Sequence, residues 1–340
     1  MKSTEILFFE RPFPSANSMI IRDDQSFLVD TGFGSDIVRT EQLLTSAGIL
    51  PAQLNGIINT HYHSDHVGGN HYFQQQYEIP VAAHLWEGEM VNQCDIESCG
   101  AHFLDQPVEQ YTVQQLLVDE QQIMTGQSAF QVLHTPGHTL GHIALYEPKQ
   151  EILICGELFH YNDVGWLNIF REGTNSIRRS IESLDRLATL SIKKAYPGHG
   201  PAIDEPSIMI DKARERLEKW IESPEKMAWH ACKRIFSFTL MIKNGLKSRE
   251  ITPYLLSCSW FYDFAVHFFR LKPEEFVQPL LDEMIRSKAA AWHQDKLIAT
   301  APYEAPNPKW MRIGNQVIGL SKCAILYYND FNNRCNNSKR

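Results

Sequence analysis

Thr60-His61-Tyr62-His63-Ser64-Asp65-His66 places three imidazoles and a carboxylate within six positions, spaced His-x-His-x-Asp-His. Neutral imidazole and carboxylate are the usual ligands of zinc and related divalent ions. Buried together without an ion, that many ring nitrogens would stand unpaired at considerable cost. The segment therefore points to a metalloenzyme. A polar loop of surface histidines is the plain alternative, and the density of donors at this spacing argues against it.

Just upstream, Leu54-Asn55-Gly56-Ile57-Ile58-Asn59-Thr60 is short and rich in β-branched residues, the pattern of a strand. Side chains two apart on a strand share a face, so His61 and His63 are expected to converge on one ion. Asp65 and His66 then fall at a turn, and Val67-Gly68-Gly69-Asn70 opens a helix capped by Ser64 or Asp65. From there Asp65 and His66 aim at a second ion beside the first.

Strands and helices alternate on both sides of this segment. Ser18 to Ile21 and Ser26 to Asp30 flank Asp23-Asp24 as a hairpin, and a helix runs from Ser35 to Ala47 with Gly48 as its stop. Further strands are expected at Ile79 to Ala83, Ala129 to His134, Ile143 to Tyr146, Glu151 to Cys155 and Lys194 to Tyr196, with a helix from Ser176 to Leu190. That is a mixed sheet system with helices.

The composition changes near Pro201 to Pro206. Ile210, Ala213, Leu217 and Trp220 recur at helical spacing, and Ser223-Pro224 starts another helix that ends at Asn244-Gly245. Helices follow around Arg249 to Cys258 and Pro273 to Lys288, with Pro279 starting or kinking one of them, and Trp292 to Thr300 forms a small hairpin turning at Gln294-Asp295. Helices followed by a hairpin suggest a winged-helix-like unit. Its aromatic stripe, Trp260, Phe261, Phe264, Phe268 and Phe269, reads as core. The expected division is a metal-binding domain over 1–205, a helical, winged-helix-like domain over 206–300, and an extension over 301–340. That extension holds one apolar run, Ala324 to Tyr328, and a disordered tip.

The 340 residues have 43% hydrophobic content and a net charge of −8, which supports a well-filled core and weighs against a nucleic-acid partner. Lys233, Arg234, Lys243, Lys247 and Arg249 are the best basic candidates, and a solvated helix face explains them more simply. Neither a secretory signal nor an apolar run of membrane-spanning length is visible. The seven cysteines, an odd and scattered set, fit free thiols in a reducing cytoplasm. A cytoplasmic protein acting on a small molecule is expected, with a homodimer as an open arrangement.

Further ligands should lie in loops after strands. Three downstream segments offer them: His138 in Thr135-Pro136-Gly137-His138-Thr139-Leu140-Gly141-His142, Glu157 in Cys155-Gly156-Glu157, and His199 in Tyr196-Pro197-Gly198-His199-Gly200. Each alone is weak; the order of all four is specific.

That order, with Asp30-Thr31-Gly32, resembles the metallo-β-lactamase-fold hydrolase superfamily, in particular its glyoxalase II and lactonase-like members, over residues 16 to 205. The resemblance implies an αββα sandwich, two mixed sheets covered by outer helices with the site at one edge. It assigns His61, His63 and His138 to a first metal and Asp65, His66 and His199 to a second. Glu157 falls where the family usually has an aspartate bridging both ions. A glutamate there either bridges, binds one ion, or leaves a mononuclear site; it is expected to be a ligand, with His160 and Asp163 nearby as substitutes. His71, His84, His102, His134 and His142 are expected in supporting or structural roles.

Two divalent ions, zinc with iron or manganese as alternatives, would generate a metal-bound hydroxide near neutrality. Asp65 would orient it and pass a proton. Hydrolysis of an ester, thioester, lactone or related acyl compound is the leading expectation. The rivals are a phosphodiesterase or ribonuclease, a mononuclear iron dioxygenase, and a metal-stabilised binding protein with little turnover. Tyr161 to Phe170, with Trp166, either walls the pocket or packs in the core.

Overall fold

A computed structural model of the chain describes residues 4–95 and 98–306. Among the described residues, a first sheet runs in the order β1 (Glu5–Phe9), β2 (Ser18–Arg22), β3 (Phe27–Val29), β4 (Gly56–Ile58), β5 (Val81–His84) and β6 (Gln115–Leu117). Strands β1 to β3 pair antiparallel and β3 to β6 parallel. The second sheet contains β7 (Gln122–Met124), β8 (Ala129–His134), β9 (Ile143–Glu147), β10 (Ile152–Gly156) and β11 (Lys194–Pro197). It is antiparallel except for the parallel β10–β11 edge. Both sheets are mixed, as expected.

The helices are α1 (Ile37–Ser46), α2 (Ser64–Val67), α3 (Asn70–Tyr77), α4 (Leu85–Asn92), α5 (Ala101–Leu104) and α6 (Ser176–Ala188). Beyond them come α7 (Pro206–Glu222), α8 (Pro224–Ile242), α9 (Ser248–Ser257), α10 (Ser259–Tyr262) and α11 (Pro273–Arg286).

Strand alternation sorts the core into layers. In β4, Ile58 joins Met19, Val29, Phe130, Val132, Leu145 and Ile154 between the two sheets. Its neighbour Ile57 points the other way, to Leu44 of α1, Phe73 of α3 and Val91 of α4. On the far face of the second sheet, Leu133, Ala144 and Leu153 meet Leu184 of α6 and Ile210, Leu217 and Trp220 of α7. Helix, sheet, sheet, helix is the αββα sandwich. Both isoleucines are fully buried, worth roughly 1.5–3 kcal/mol each. An aspartate at position 58 would therefore break the inter-sheet layer.

Helices α8 to α11 enclose a separate aromatic core in which Trp260, Phe261 and Phe264 are fully buried, and Phe268 and Phe269 pack against it. Phe103 and Leu104 of α5 join that core. The expected hairpin forms within a small third sheet, in which β14 (Lys296–Ala299) pairs with both β13 (Ala290–His293) and β12 (Leu246–Lys247). Pro273 opens α11, and Pro279 lies inside it. No helix of the described residues is long and apolar enough to cross a membrane. Their five cysteines form no disulfide. The apolar run Ala324 to Tyr328 and the tail beyond it lie outside the described residues.

Two local expectations need correction. The histidine-bearing strand ends at Ile58, so His61 and His63 sit in the following loop rather than on a strand. The ladder stops because the Asp30 side chain takes the Thr60 N–H, at 2.9 Å. Ser64 and Asp65 also do not cap the next helix. Ser64 is already inside α2, where its hydroxyl donates to Gln106 at 2.7 Å, and His63 is the N-cap. Gly68 lies between α2 and α3, where only glycine fits, since a Cβ there would meet the Gly34 nitrogen at 2.3 Å.

Candidate metal centre

The loop after β4 carries His61 and His63, and α2 carries Asp65 and His66. The β8–β9 loop supplies His138, the end of β10 leads to Glu157, and the end of β11 leads to His199. All seven side chains line one cavity of about 740 Å³, counted to include its part open to solvent.

His61, His63 and His138 each offer a ligand atom within 4.8 Å of the others. His63 Nδ1 lies 2.8 Å from His138 Nε2 and 3.1 Å from His61 Nε2. The Nδ1–H of His138 donates to the Trp166 carbonyl at 2.6 Å, which leaves its Nε2 lone pair facing the other two rings. Tyr62 and Trp166 stack on the two sides of His63, at 5.6 and 5.4 Å between ring centres. Burial, then the neighbouring imidazoles, hold His61 and His63 well below the ordinary histidine value. Burial brings His138 down to about 4 against the attraction of Glu157. Burial thus favours the neutral ring, the form in which imidazole binds a metal.

Asp65, His66 and His199 form a second group of the same tightness. Asp65 Oδ2 lies 3.1 Å from His199 Nε2 and 3.8 Å from His66 Nε2. His66 Nδ1–H donates to Asp30 Oδ2 at 2.7 Å, so its Nε2 faces the group. That Nε2 is fully buried and has no hydrogen-bond partner among the described residues. Burial disfavours charge on His66, but Asp30 and then Asp65 outweigh it and push the ring up to about 9. The surroundings of that nitrogen thus favour a positive charge. An orphaned, buried lone-pair position among acidic groups is what a divalent ion would satisfy.

Glu157 stands just outside this second group. Its Oε1 lies 3.6 Å from His199 Nε2 and 3.7 Å from His66 Nε2, and closer, at 2.9 Å, to His160 Nε2. Burial opposes its charge, yet His160 and His199 hold it well below the usual carboxylate range. Gly198 makes this approach feasible, since a Cβ there would sit 2.5 Å from Glu157 Oε1 and 2.8 Å from His66 Cε1. Of the two substitutes considered, His160 reaches Glu157. Asp163 turns away to Arg216, His230 and Arg234.

Four further features complete the site, and the sequence assigns a supporting role to His142 alone among them. Asp30 orients His66, the Trp166 carbonyl orients His138, and His142 Nε2 accepts the Glu157 N–H at 2.9 Å. The fourth is a wall from α8, where Arg234, Ile235, Ser237, Phe238 and Met241 line the cavity. Those five positions follow one helix face, a signal that marks a buried face without saying what it covers. His71 and His134 bind the Gln110 and Leu140 carbonyls, and His84 accepts the Trp86 N–H, outside the cavity lining.

The sequence profile of the metallo-beta-lactamase superfamily matches residues 11–199. A probable metallo-hydrolase from Methanocaldococcus jannaschii is 29% identical over 194 residues, 55% of this chain and 88% of that protein. A hydroxyacylglutathione hydrolase from Pelagibacter ubique is 33% identical over 149 residues, 43% of this chain and 52% of that protein. In fold, a crystal structure of a metallo-beta-lactamase family protein from Thermus thermophilus superposes with a TM-score of 0.54 at 19% identity, covering 86% of this chain and 98% of that one. With the sandwich, the ordered donors and the profile in agreement over more than half its length, the chain belongs to the metallo-beta-lactamase superfamily.

Proposed function

We propose that this protein is a metal-dependent hydrolase with a two-ion centre, acting on an ester, thioester, lactone or related acyl compound. The observation that carries this reading is the pair of three-donor groups in one cavity, with the orphaned His66 Nε2 between Asp65 and Glu157. His61, His63 and His138 would hold one ion and Asp65, His66 and His199 the other, with Glu157 as a further ligand beside His66 and His199. Zinc suits this nitrogen-rich set, and iron and manganese are the alternatives. Bound there, the ions supply Lewis acidity toward an acyl oxygen and make a water acidic near neutrality.

The chain's own residues do the rest. Asp65 orients the attacking water and takes its proton. Ile235, Phe238 and Met241 of α8, with Leu104 and Trp166, offer an apolar wall for the acyl group and limit bulk water at the centre. The names of relatives, metallo-hydrolase and hydroxyacylglutathione hydrolase, support this class.

A side-by-side assay of thioester, ester, lactone, phosphodiester and RNA substrates tests the reading. Acyl hydrolysis that disappears on chelation and returns with zinc is expected. Activity indifferent to chelators, or confined to phosphodiesters, would overturn it.

A further inference from the structure

The turn from His160 to Asp163 joins the candidate centre to the C-terminal helices. At one end, His160 lines the cavity with its Nε2 2.9 Å from Glu157 Oε1. The turn is closed by the His160 N–H donating to the Asp163 carbonyl at 2.8 Å. At the other end, the Asp163 carboxylate accepts from Arg216 of α7 at 3.3 Å, and from His230 (3.3 Å) and Arg234 of α8. His230 is itself packed against Trp220 of α7, 4.9 Å between ring centres. One carboxylate therefore fastens the turn to two helices.

Glu157 is the side chain that needs such a fastening. Its carboxylate sits on a flexible stem whose rotamer freedom must be lost before it can serve as a ligand. His199 and His66 are 3.6 and 3.7 Å away, so His160 is its nearest hydrogen-bonding partner in the site. A ligating carboxylate is commonly held by such an outer partner. Asp163, half-buried between the turn and the helices, keeps that partner in place.

We propose that His160, held by the Asp163 clasp, is a positioning residue that aims the Glu157 carboxylate at the ion beside His66 and His199. Occupancy of that second position then depends on α7 and α8. This inference rests on the two-ion reading above.

Metal binding by the full chain tests it without reference to turnover. Wild type, His160→Ala, His160→Gln, Asp163→Asn and Lys233→Ala are stripped of metal and titrated with zinc against a chromophoric chelator. The same proteins are titrated with cobalt(II) and followed by its visible absorption. Wild type takes two equivalents. In His160→Ala the first equivalent binds as in wild type and the second weakens about 10–100-fold. His160→Gln, which still presents an N–H donor, recovers most of that loss. Asp163→Asn weakens the second equivalent too, and combined with His160→Ala it adds nothing. Lys233→Ala removes a different α8 contact, the 2.9 Å bond to Glu283, and leaves both equivalents unchanged.

Two equivalents unaffected by His160→Ala would overturn the inference alone. So would equal weakening of both equivalents, or the same loss in Lys233→Ala. A wild type that binds a single equivalent would overturn the two-ion reading, and the inference with it. Should His160→Ala fail to fold, Asp163→Asn decides, and an unchanged second equivalent there overturns the inference.

Discussion

Asp30 Oδ2 accepts the Nδ1–H of His66 at 2.7 Å, and the same carboxylate accepts the Thr60 N–H at 2.9 Å and the Thr60 hydroxyl at 2.7 Å. One fully buried side chain thus ends β4 and turns His66 Nε2 toward Asp65, Glu157 and His199. Removing it strands three buried donors at once. Asp30→Ala should lower stability by about 1–3 kcal/mol per group left unpaired. It should also weaken metal binding about 10–100-fold. Thermal melting and zinc titration of the variant check both. Unchanged metal affinity would mean that His66 needs no such support.

Gly198→Ala should damage the centre while sparing the fold. The added Cβ would press on Glu157 Oε1 at 2.5 Å and on the His66 ring at 2.8 Å, both in the site. Circular dichroism should show a melting curve near that of wild type, with hydrolysis reduced at least about a hundredfold, the range reached when site geometry is misplaced by an ångström. A variant as active as wild type would show that Glu157 does not hold the position described.

Glu87, bonded to the Thr139 hydroxyl next to His138, gives a pH dependence of stability. Burial pushes its carboxyl up to about 8, with Glu172 adding to the shift and the Thr139 hydroxyl bond opposing it. Its folded value is thus above its unfolded one, so the folded chain holds a proton that the unfolded chain has lost. The stability this contributes is full below about pH 4.5 and is lost as pH rises to about 8. Over that window the slope is about 1.4 kcal/mol per pH unit for one proton. Glu87→Gln should remove it. Urea midpoints at pH 5 and pH 8 should converge in the variant, and equal pH trends in the two proteins would contradict the assignment.

Phe238 of α8 is buried, lines the cavity, and packs edge-on against Phe33 at 5.8 Å. Phe238→Ala should raise KM for a short apolar acyl substrate about tenfold, the scale of one lost hydrophobic contact. Its kcat should change little. A fall in kcat with unchanged KM would place Phe238 outside the binding wall.

Much of this was legible because the donors are packed into one local motif and three strand-end loops. The run of strands likewise announced a mixed sheet system, which the family resemblance divided into two sheets, and Ile57 and Ile58 part between the layers as period-two patterning requires. What was hidden depends on long-range contact. Asp30 and His66 are 36 residues apart, and the turn whose His160 reaches Glu157 is clasped at Asp163 by helices 50 and more positions downstream. The misread strand end at His61 and His63 has the same cause. Local propensity favoured continuing the strand, and a side chain from β3's end took the hydrogen bond that would have extended it. The α8 face was equally silent, since Ile235, Phe238 and Met241 serve core and cavity with one periodicity.

The central claim is that the two donor groups are two metal positions of one centre. Anomalous diffraction from crystals of the zinc-loaded protein, recorded on both sides of the metal's absorption edge, tests it most directly. Two peaks are expected, one among His61, His63 and His138 and one among Asp65, His66 and His199, with Glu157 at the second. A single peak, or peaks away from these side chains, would contradict the account.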